Sequence, residues 1–144
     1  MLFLVHHAEA VDALIDPQRP LTDGGRTHAE RTAASAAGRG AKPAVIWHSG
    51  KLRARQTAEF FWRACNPLAE LAAAHGLQPD DPPQWIADTV AGEAREIMLV
   101  GHMPHLARLL ALLRGPAAPA AEFPSHGCVA LEERDGVWIE RWRA

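Results

Sequence analysis

Three short stretches carry side chains able to do chemistry, and each follows an apolar run. His6 and His7 come directly after Leu2-Phe3-Leu4-Val5. His48 and Ser49, with Arg53 close behind, follow Ala44-Val45-Ile46-Trp47. Gly101 and His102 follow Ile97-Met98-Leu99-Val100. Unbroken apolar runs of this length read as strands buried on both faces of a parallel sheet. In such sheets ligands bind just outside the carboxyl ends of the strands, so the three stretches can converge on one edge. Imidazoles, an arginine and the N-termini of the helices that follow at Ser49 and Pro104 together describe an anion site, with phosphate as the natural occupant.

The elements that must position these groups follow from periodicity and breakers. Val11 to Pro20 reads as a loop, broken at Asp16-Pro17 and Arg19-Pro20. Thr22 is the expected N-cap of a helix from about Asp23 to Ala37, with Ala29, Ala33, Ala36 and Ala37 as its buried small residues and Gly38 and Gly40 as its stop. Ser49 is the expected cap of a second helix, whose inner face carries Ala54, Ala58, Phe61, Trp62 and Cys65 and which ends before Pro67. Leu68 to His75 reads as a short alanine-rich helical piece closed by Gly76. Pro82 and Pro83 suit the start of a helix through Trp85, Ile86 and Val90. The segment from Pro104 to Leu113 is apolar nearly all round and is expected to be a buried helix. Gly115 to Pro124 is a Pro/Ala loop, and Cys128–Glu132 and Val137–Trp142 form a hairpin around Asp135-Gly136. Strand and helix alternate before that hairpin, which predicts a single α/β domain over residues 1–144: a three-layer α/β/α sandwich with a mostly parallel sheet and a C-terminal hairpin.

Composition narrows the partners. A chain of 144 residues can bury a core without staples, and a formal charge of −2 argues against a nucleic-acid binder. Lys42 and Lys51 are the only lysines; arginine suits bidentate contacts to phosphate, although the excess of arginine and alanine is also what a G+C-rich coding sequence produces. Cys65 and Cys128 stand in no metal-binding or disulfide pattern and read as reduced thiols of a cytoplasmic protein. No signal peptide or membrane-length apolar run is evident.

Four motifs in order resemble the histidine phosphatase superfamily. Leu4-Val5-His6-His7-Ala8-Glu9-Ala10 is similar to that family's Leu-Val-Arg-His-Ala-Glu-Ala opening, and Arg19-Pro20-Leu21-Thr22 with Gly25 to its next motif. Ser49 to Ala58 resembles its Ser-x-x-x-Arg-Ala-x-Gln-Thr-Ala segment, and Val100-Gly101-His102-Met103-Pro104 its Val-Gly-His-x-Pro segment. The short chain, without a large inserted lid, resembles the bacterial SixA-type phosphohistidine phosphatases in particular. The resemblance implies a phosphoglycerate mutase-like fold and a reaction that needs no metal or cofactor. His7 would be the nucleophile, carrying the phosphoryl group before water removes it. Arg53 would clamp the phosphoryl oxygens and His102 would add a hydrogen bond to them. His6, Arg19, Ser49 and His126 would line the substrate side, His126 from a segment that resembles a pocket-side loop. The implied substrate is a phosphohistidine on a partner protein, such as a signalling phosphotransfer domain; a small phosphomonoester is the alternative. Larger family members use a carboxylic acid to protonate an alcohol leaving group, for which Glu9, Asp80 and Asp81 are the nearby candidates; SixA-type members resemble enzymes that manage without one.

The departure is His6, where the family has arginine. A histidine offers fewer donors and is charged only if protonated, which predicts weakened turnover, or in the extreme a module that binds a phosphorylated ligand without turning it over. His28 and His75 are expected to be solvent-exposed, and His105 to be structural, facing outward or lining the pocket rim. His48 and His126, if both approached His6, His7 and His102, could trap a divalent metal, although their spacing is no recognised metal motif and no metal ligand is assigned.

Overall fold

In the computed structural model, which describes residues 1–144, six strands form one sheet in the order β3-β2-β4-β1-β5-β6. The strands are β1 (Leu2–His6), β2 (Val45–His48), β3 (Glu70–Ala73), β4 (Ile97–Gly101), β5 (Cys128–Arg134) and β6 (Val137–Arg143). The helices are α1 (Asp23–Gly38), α2 (Leu52–Cys65), α3 (Pro83–Ala91) and α4 (His105–Arg114). Strands β1 to β4 run parallel and β5 runs antiparallel to both of its neighbours. The expected α/β architecture, with its mostly parallel sheet and closing hairpin, is the one observed.

The alternation of side chains along β1 and β4 divides the interior into two layers. Leu2, Leu4, Ile97 and Leu99 pack with Ile86 and Val90 of α3 and Leu106, Leu109 and Leu110 of α4. Phe3, Val5, Met98 and Val100 pack with Ala33 and Ala36 of α1 and Ala54, Ala58 and Phe61 of α2. Both strands are therefore covered on both faces, as their unbroken apolar runs require. Each large apolar side chain buried this way contributes about 1.5–3 kcal/mol, which makes this pair of strands a rigid mount. In register, His6 lies beside Gly101, and His48 beside Val100, so the three polar stretches leave the sheet at one level.

Local sequence explains most boundaries. Thr22 caps α1, its hydroxyl accepting the Gly25 N–H at 2.9 Å. Gly25 is required there because a Cβ would collide with the Glu9 carbonyl; the start of α1 thus packs directly on the chain leaving β1. Of the four alanines expected to be buried in α1, Ala37 is only half-buried. Asp135 and Gly136 both have positive φ, 52° and 79°, the backbone of a two-residue type I′ hairpin turn.

Three expectations are corrected. The alanine-rich segment after Pro67 is not helical: Glu70–Ala73 is edge strand β3, paired with β2 from Val45↔Glu70 to His48↔Ala73. A segment this short cannot sustain a helix alone, and the open edge of β2 supplies hydrogen bonds that override alanine's propensity. Helix α4 is not buried all round; His105, Leu106, Leu109 and Leu110 form one inner stripe while Leu112 is 41% exposed. Ser49 does not cap α2, whose N-cap is Lys51 without a side-chain cap bond; the Ser49 hydroxyl accepts the Lys51 N–H at 3.3 Å and lies 2.6 Å from His102 Nε2.

Candidate active site

The carboxyl edge of β1, β2 and β4 brings His7, Arg53 and His102 together with His6, Arg19, Ser49 and His126. His7 and His102 stand with ring centroids 5.0 Å apart, His6 and His7 with centroids 4.7 Å apart, and His6 stacks on His126 at 4.6 Å. Arg53 and Arg19 are close enough for their charges to act on His7.

His7 is 8% exposed, and its Nδ1 lies 2.7 Å from the Ala8 carbonyl. A carbonyl only accepts, so the ring proton sits on Nδ1 and the lone pair is on Nε2. Burial is the main cause that lowers its pKa to about 4; the Ala8 bond opposes it, and Arg53, His126 and Arg19 add to it. The ring is neutral at pH 7 with Nε2 free. Thr57 holds this geometry from α2: its Oγ1 accepts the Ala8 N–H at 3.0 Å and donates to the Arg53 carbonyl at 2.8 Å. One hydroxyl therefore ties the chain beside His7 to the helical turn that carries Arg53. Gln56 accepts the Leu21 N–H at 2.8 Å and fixes the Arg19-Pro20-Leu21-Thr22 segment to the same helix.

Arg53 Nε is buried without a partner. Burial, then the neighbouring charge of Arg19, lowers its pKa, although a guanidinium stays charged at any relevant pH. Arg19 has a positive φ of 50° and its Nε donates to the Val11 carbonyl at 3.0 Å, which holds the side chain against its own loop. His102 Nε2 lies 2.6 Å from Ser49 Oγ, while its Nδ1 is buried without a partner. Burial, followed by His7 and Arg53, depresses the His102 pKa to about 3. Unpartnered buried nitrogens are costly and rare; of the four here, two are on His105 in the core, and the other two, on Arg53 and His102, belong to residues that neighbour His7.

His6 is engaged differently. Its Nδ1 accepts the His126 backbone N–H at 2.9 Å, so the neutral ring carries its proton on Nε2. Burial first, then His7 and His126, lowers its pKa to about 3; His6 is an uncharged donor where a guanidinium would be a fixed cation. His126, at φ 52°, donates Nδ1–H to the His7 carbonyl at 2.6 Å, and its own carbonyl accepts from His28 Nε2 at 3.1 Å.

His48 does not join the cluster. Its Nδ1 accepts the Gly50 N–H at 3.0 Å, and the charges that act on it are Arg55 and Glu59 of α2. His105, expected at the surface or rim, is fully buried with neither ring nitrogen partnered; its place one turn before Leu109 on the inner stripe of α4 was the available signal. The exposed His28 is an unforeseen support of His126, and only the fold brings the two together. Thr57 and Gln56 are further positioning residues, both within the Ser49 to Ala58 segment. Of the acidic candidates, Glu9 accepts from the Thr22 hydroxyl at 2.9 Å and Asp81 accepts the Gln78 N–H at 2.9 Å; Asp80 is exposed.

No family model and no curated protein sequence matches this chain. Solved structures do. A structure from Agrobacterium tumefaciens assigned as phosphohistidine phosphatase SixA is 27% identical, with a TM-score of 0.84 over 99% of this chain and 96% of that one. The protein histidine phosphatase SixA complexed with tungstate gives 23% identity and a TM-score of 0.82, over 99% and 94%. A SixA structure from Nakamurella multipartitia gives 22% and 0.80, over 99% and 94%. Along nearly its whole length the chain thus matches SixA phosphohistidine phosphatases in structure, and its fold is that of the histidine phosphatase superfamily, phosphoglycerate mutase-like.

Proposed function

We propose that the chain is a protein phosphohistidine phosphatase working through a phospho-His7 intermediate, with turnover reduced by His6. The observation that carries this reading is the His7 tautomer: the Ala8 carbonyl holds the proton on Nδ1 and leaves the Nε2 lone pair in a pocket with unpartnered Arg53 Nε and His102 Nδ1. Nε2 attacks phosphorus, and the substrate imidazole leaves with the electron pair of the broken P–N bond and takes up a proton from solvent water; a second water then attacks phosphorus, the P–N electron pair returns to His7 Nε2, and phosphate leaves with the water's oxygen while its proton passes to solvent. Arg53 and the His102 ring stabilise the charge that builds on the equatorial oxygens, and Arg19 adds a longer-range positive field. Ser49 orients His102 through their 2.6 Å contact.

The substrate class follows from the acids. Glu9 and Asp81 accept hydrogen bonds from Thr22 and Gln78 and Asp80 is exposed; the charges acting on His7 include no carboxylate, so an alkoxide leaving group would be poorly served, whereas an imidazole departs more readily. This favours a phosphoramide over a small phosphomonoester, in keeping with the similarity to a protein histidine phosphatase.

A second reading, a pocket that binds a phosphorylated ligand without turning it over, draws on one observation: His6 is neutral and its Nδ1 is already bonded to His126. Trapping with labelled phosphohistidine peptide separates the two. Label on the native chain that chases into free phosphate, and is absent in His7→Ala, is the expected result. Saturable binding with no covalent label at any time would leave the binding module.

A further inference from the structure

The imidazole side of the pocket holds more donors than phosphoryl transfer needs. His6, His7 and His126 each offer a ring nitrogen, and the three lie within 4.8 Å of one another. They come from the end of β1 and from the turn before β5, so only the fold assembles them. Two of the rings are held as metal-bound histidines are held. His7 and His126 each donate Nδ1–H to a main-chain carbonyl, at 2.7 and 2.6 Å, the outer-shell bond that fixes the tautomer and turns the Nε2 lone pair outward.

We propose that His6, His7 and His126 form a three-imidazole site for a divalent late transition metal, Zn2+ or Cu2+, and that the bound ion silences the pocket by occupying His7 Nε2. Three histidines and one open position make a recognised zinc geometry, and imidazole ligands suit both ions, copper binding the more tightly. Zinc–nitrogen bonds of about 2.0–2.1 Å put tetrahedral ligand atoms ~3.3 Å apart, so ligand atoms now within 4.8 Å of one another close by at most ~1.5 Å. His6 adapts most. Either its proton shifts from Nε2 to Nδ1 or its ring turns to present Nδ1, and in both cases the bond from the His126 N–H gives way to a metal–nitrogen bond. The fourth position takes water or a phosphate oxygen. An arginine at position 6 would remove one ligand and place a fixed cation beside the ion; the site exists because this chain has histidine there. Metal capture itself stands on the geometry alone, while the silencing rests on the reading of His7 as nucleophile.

The test uses the full chain without a purification tag, stripped with chelator and titrated with Co2+. One Co2+ per chain, with the strong visible absorption of tetrahedral cobalt and displacement by Zn2+, is expected. His6→Arg and His126→Ala should each weaken binding at least tenfold, while His48→Ala keeps it. In case a variant folds poorly, Zn2+ added to the native chain with 15N-labelled imidazoles should shift the His6, His7 and His126 rings and not that of His48. An absent cobalt band, or one unchanged in both weakening variants, overturns the site. Hydrolysis of phosphohistidine peptide should stop at one equivalent of Zn2+, return with chelator, and resist Zn2+ in His6→Arg. A cobalt site with turnover indifferent to Zn2+ overturns the silencing alone. A cobalt site on a chain that never hydrolyses the peptide overturns the phosphatase reading and keeps the metal site.

Discussion

The pocket has two sides built on opposite principles. Towards α2 and α4, the polar atoms are left waiting: Arg53 Nε and His102 Nδ1 are buried without partners, and His7 Nε2 is free. Towards β5, the main-chain and Nδ1 hydrogen bonds of His126 close on the protein itself. The His126 N–H bonds His6, the His126 ring bonds the His7 carbonyl, and the His126 carbonyl bonds His28. On the open side, a phosphoryl oxygen of the proposed substrate would meet the unpartnered Arg53 and His102 nitrogens. The closed side uses its hydrogen bonds to hold His7 in place, and it spends the one residue, His6, that would have matched the open side had it been arginine. The same edge of the same sheet thus combines a wall with unpartnered nitrogens and a wall whose main-chain bonds are met within the protein; in the proposed reaction the balance between them would set the rate.

The largest effect should come from emptying the open side. Arg53→Ala removes the donor that meets charge developing on the phosphoryl oxygens, and should lower kcat for phosphohistidine hydrolysis by about 10²–10³-fold. Arg53→Lys should recover little, because an ammonium lacks the planar fork. If both variants keep native kcat, the open side is not what drives the chemistry.

Opening the closed side comes next. His6→Arg breaks the bond from the His126 N–H and supplies a charged donor in its place. A charge-assisted hydrogen bond is worth about 1.5–3 kcal/mol, so turnover should rise roughly ten- to a hundredfold. Steady-state rates of the two proteins under metal-free conditions measure this directly, and a rate that stays level or falls would show that the closed side is as productive as it stands.

A third effect concerns stability rather than rate. In the fold His6 and His102 have pKa values of about 3 and His7 of about 4, against about 6.5 in the unfolded chain. Below pH ~6.5 the unfolded chain therefore binds protons that the folded chain refuses, and stability present above that pH is lost as the pH falls towards 3. The melting temperature should drop steadily through this window, and His6→Gln or His102→Gln should flatten the drop. Activity should not share it: with His7 still neutral, kcat should hold between pH 7 and 5 and fall only near 4. An inflection of kcat near 6.5 would mean that His7 titrates as an exposed imidazole.

The open side was far more legible in the sequence than the closed side, for a physical reason. His7, Arg53 and His102 are set by strand ends and the first turn of a helix, where apolar runs and local spacing fix direction. His126 reaches the pocket by a positive φ at a distance of 119 residues from His7, and no local pattern encodes such an approach. His28 is further still from any motif logic, being an exposed residue of α1 that meets His126 only after folding. Among the elements, β3 was misread for a related reason: its alanines favour a helix locally, and only the edge of β2 makes them a strand. His105 marks the opposite case, a core stripe that was present in the spacing and was passed over because histidine suggests solvent or chemistry.

His28 also provides the finest test of the contrast. Its Nε2 donates to the His126 carbonyl at 3.1 Å from an exposed position, where water can replace it. A neutral, solvent-accessible hydrogen bond contributes at the low end of about 0.5–1.5 kcal/mol, so His28→Ala should change kcat less than about threefold and leave the melting temperature nearly unchanged. The comparison that matters is with His126→Ala, which deletes the ring bond to the His7 carbonyl and frees the backbone that carries His7. If His28→Ala proves as damaging as His126→Ala, the closed side acts as one relay reaching to α1. If it is silent, the support of His7 ends at His126, and the closed wall is no deeper than a single residue.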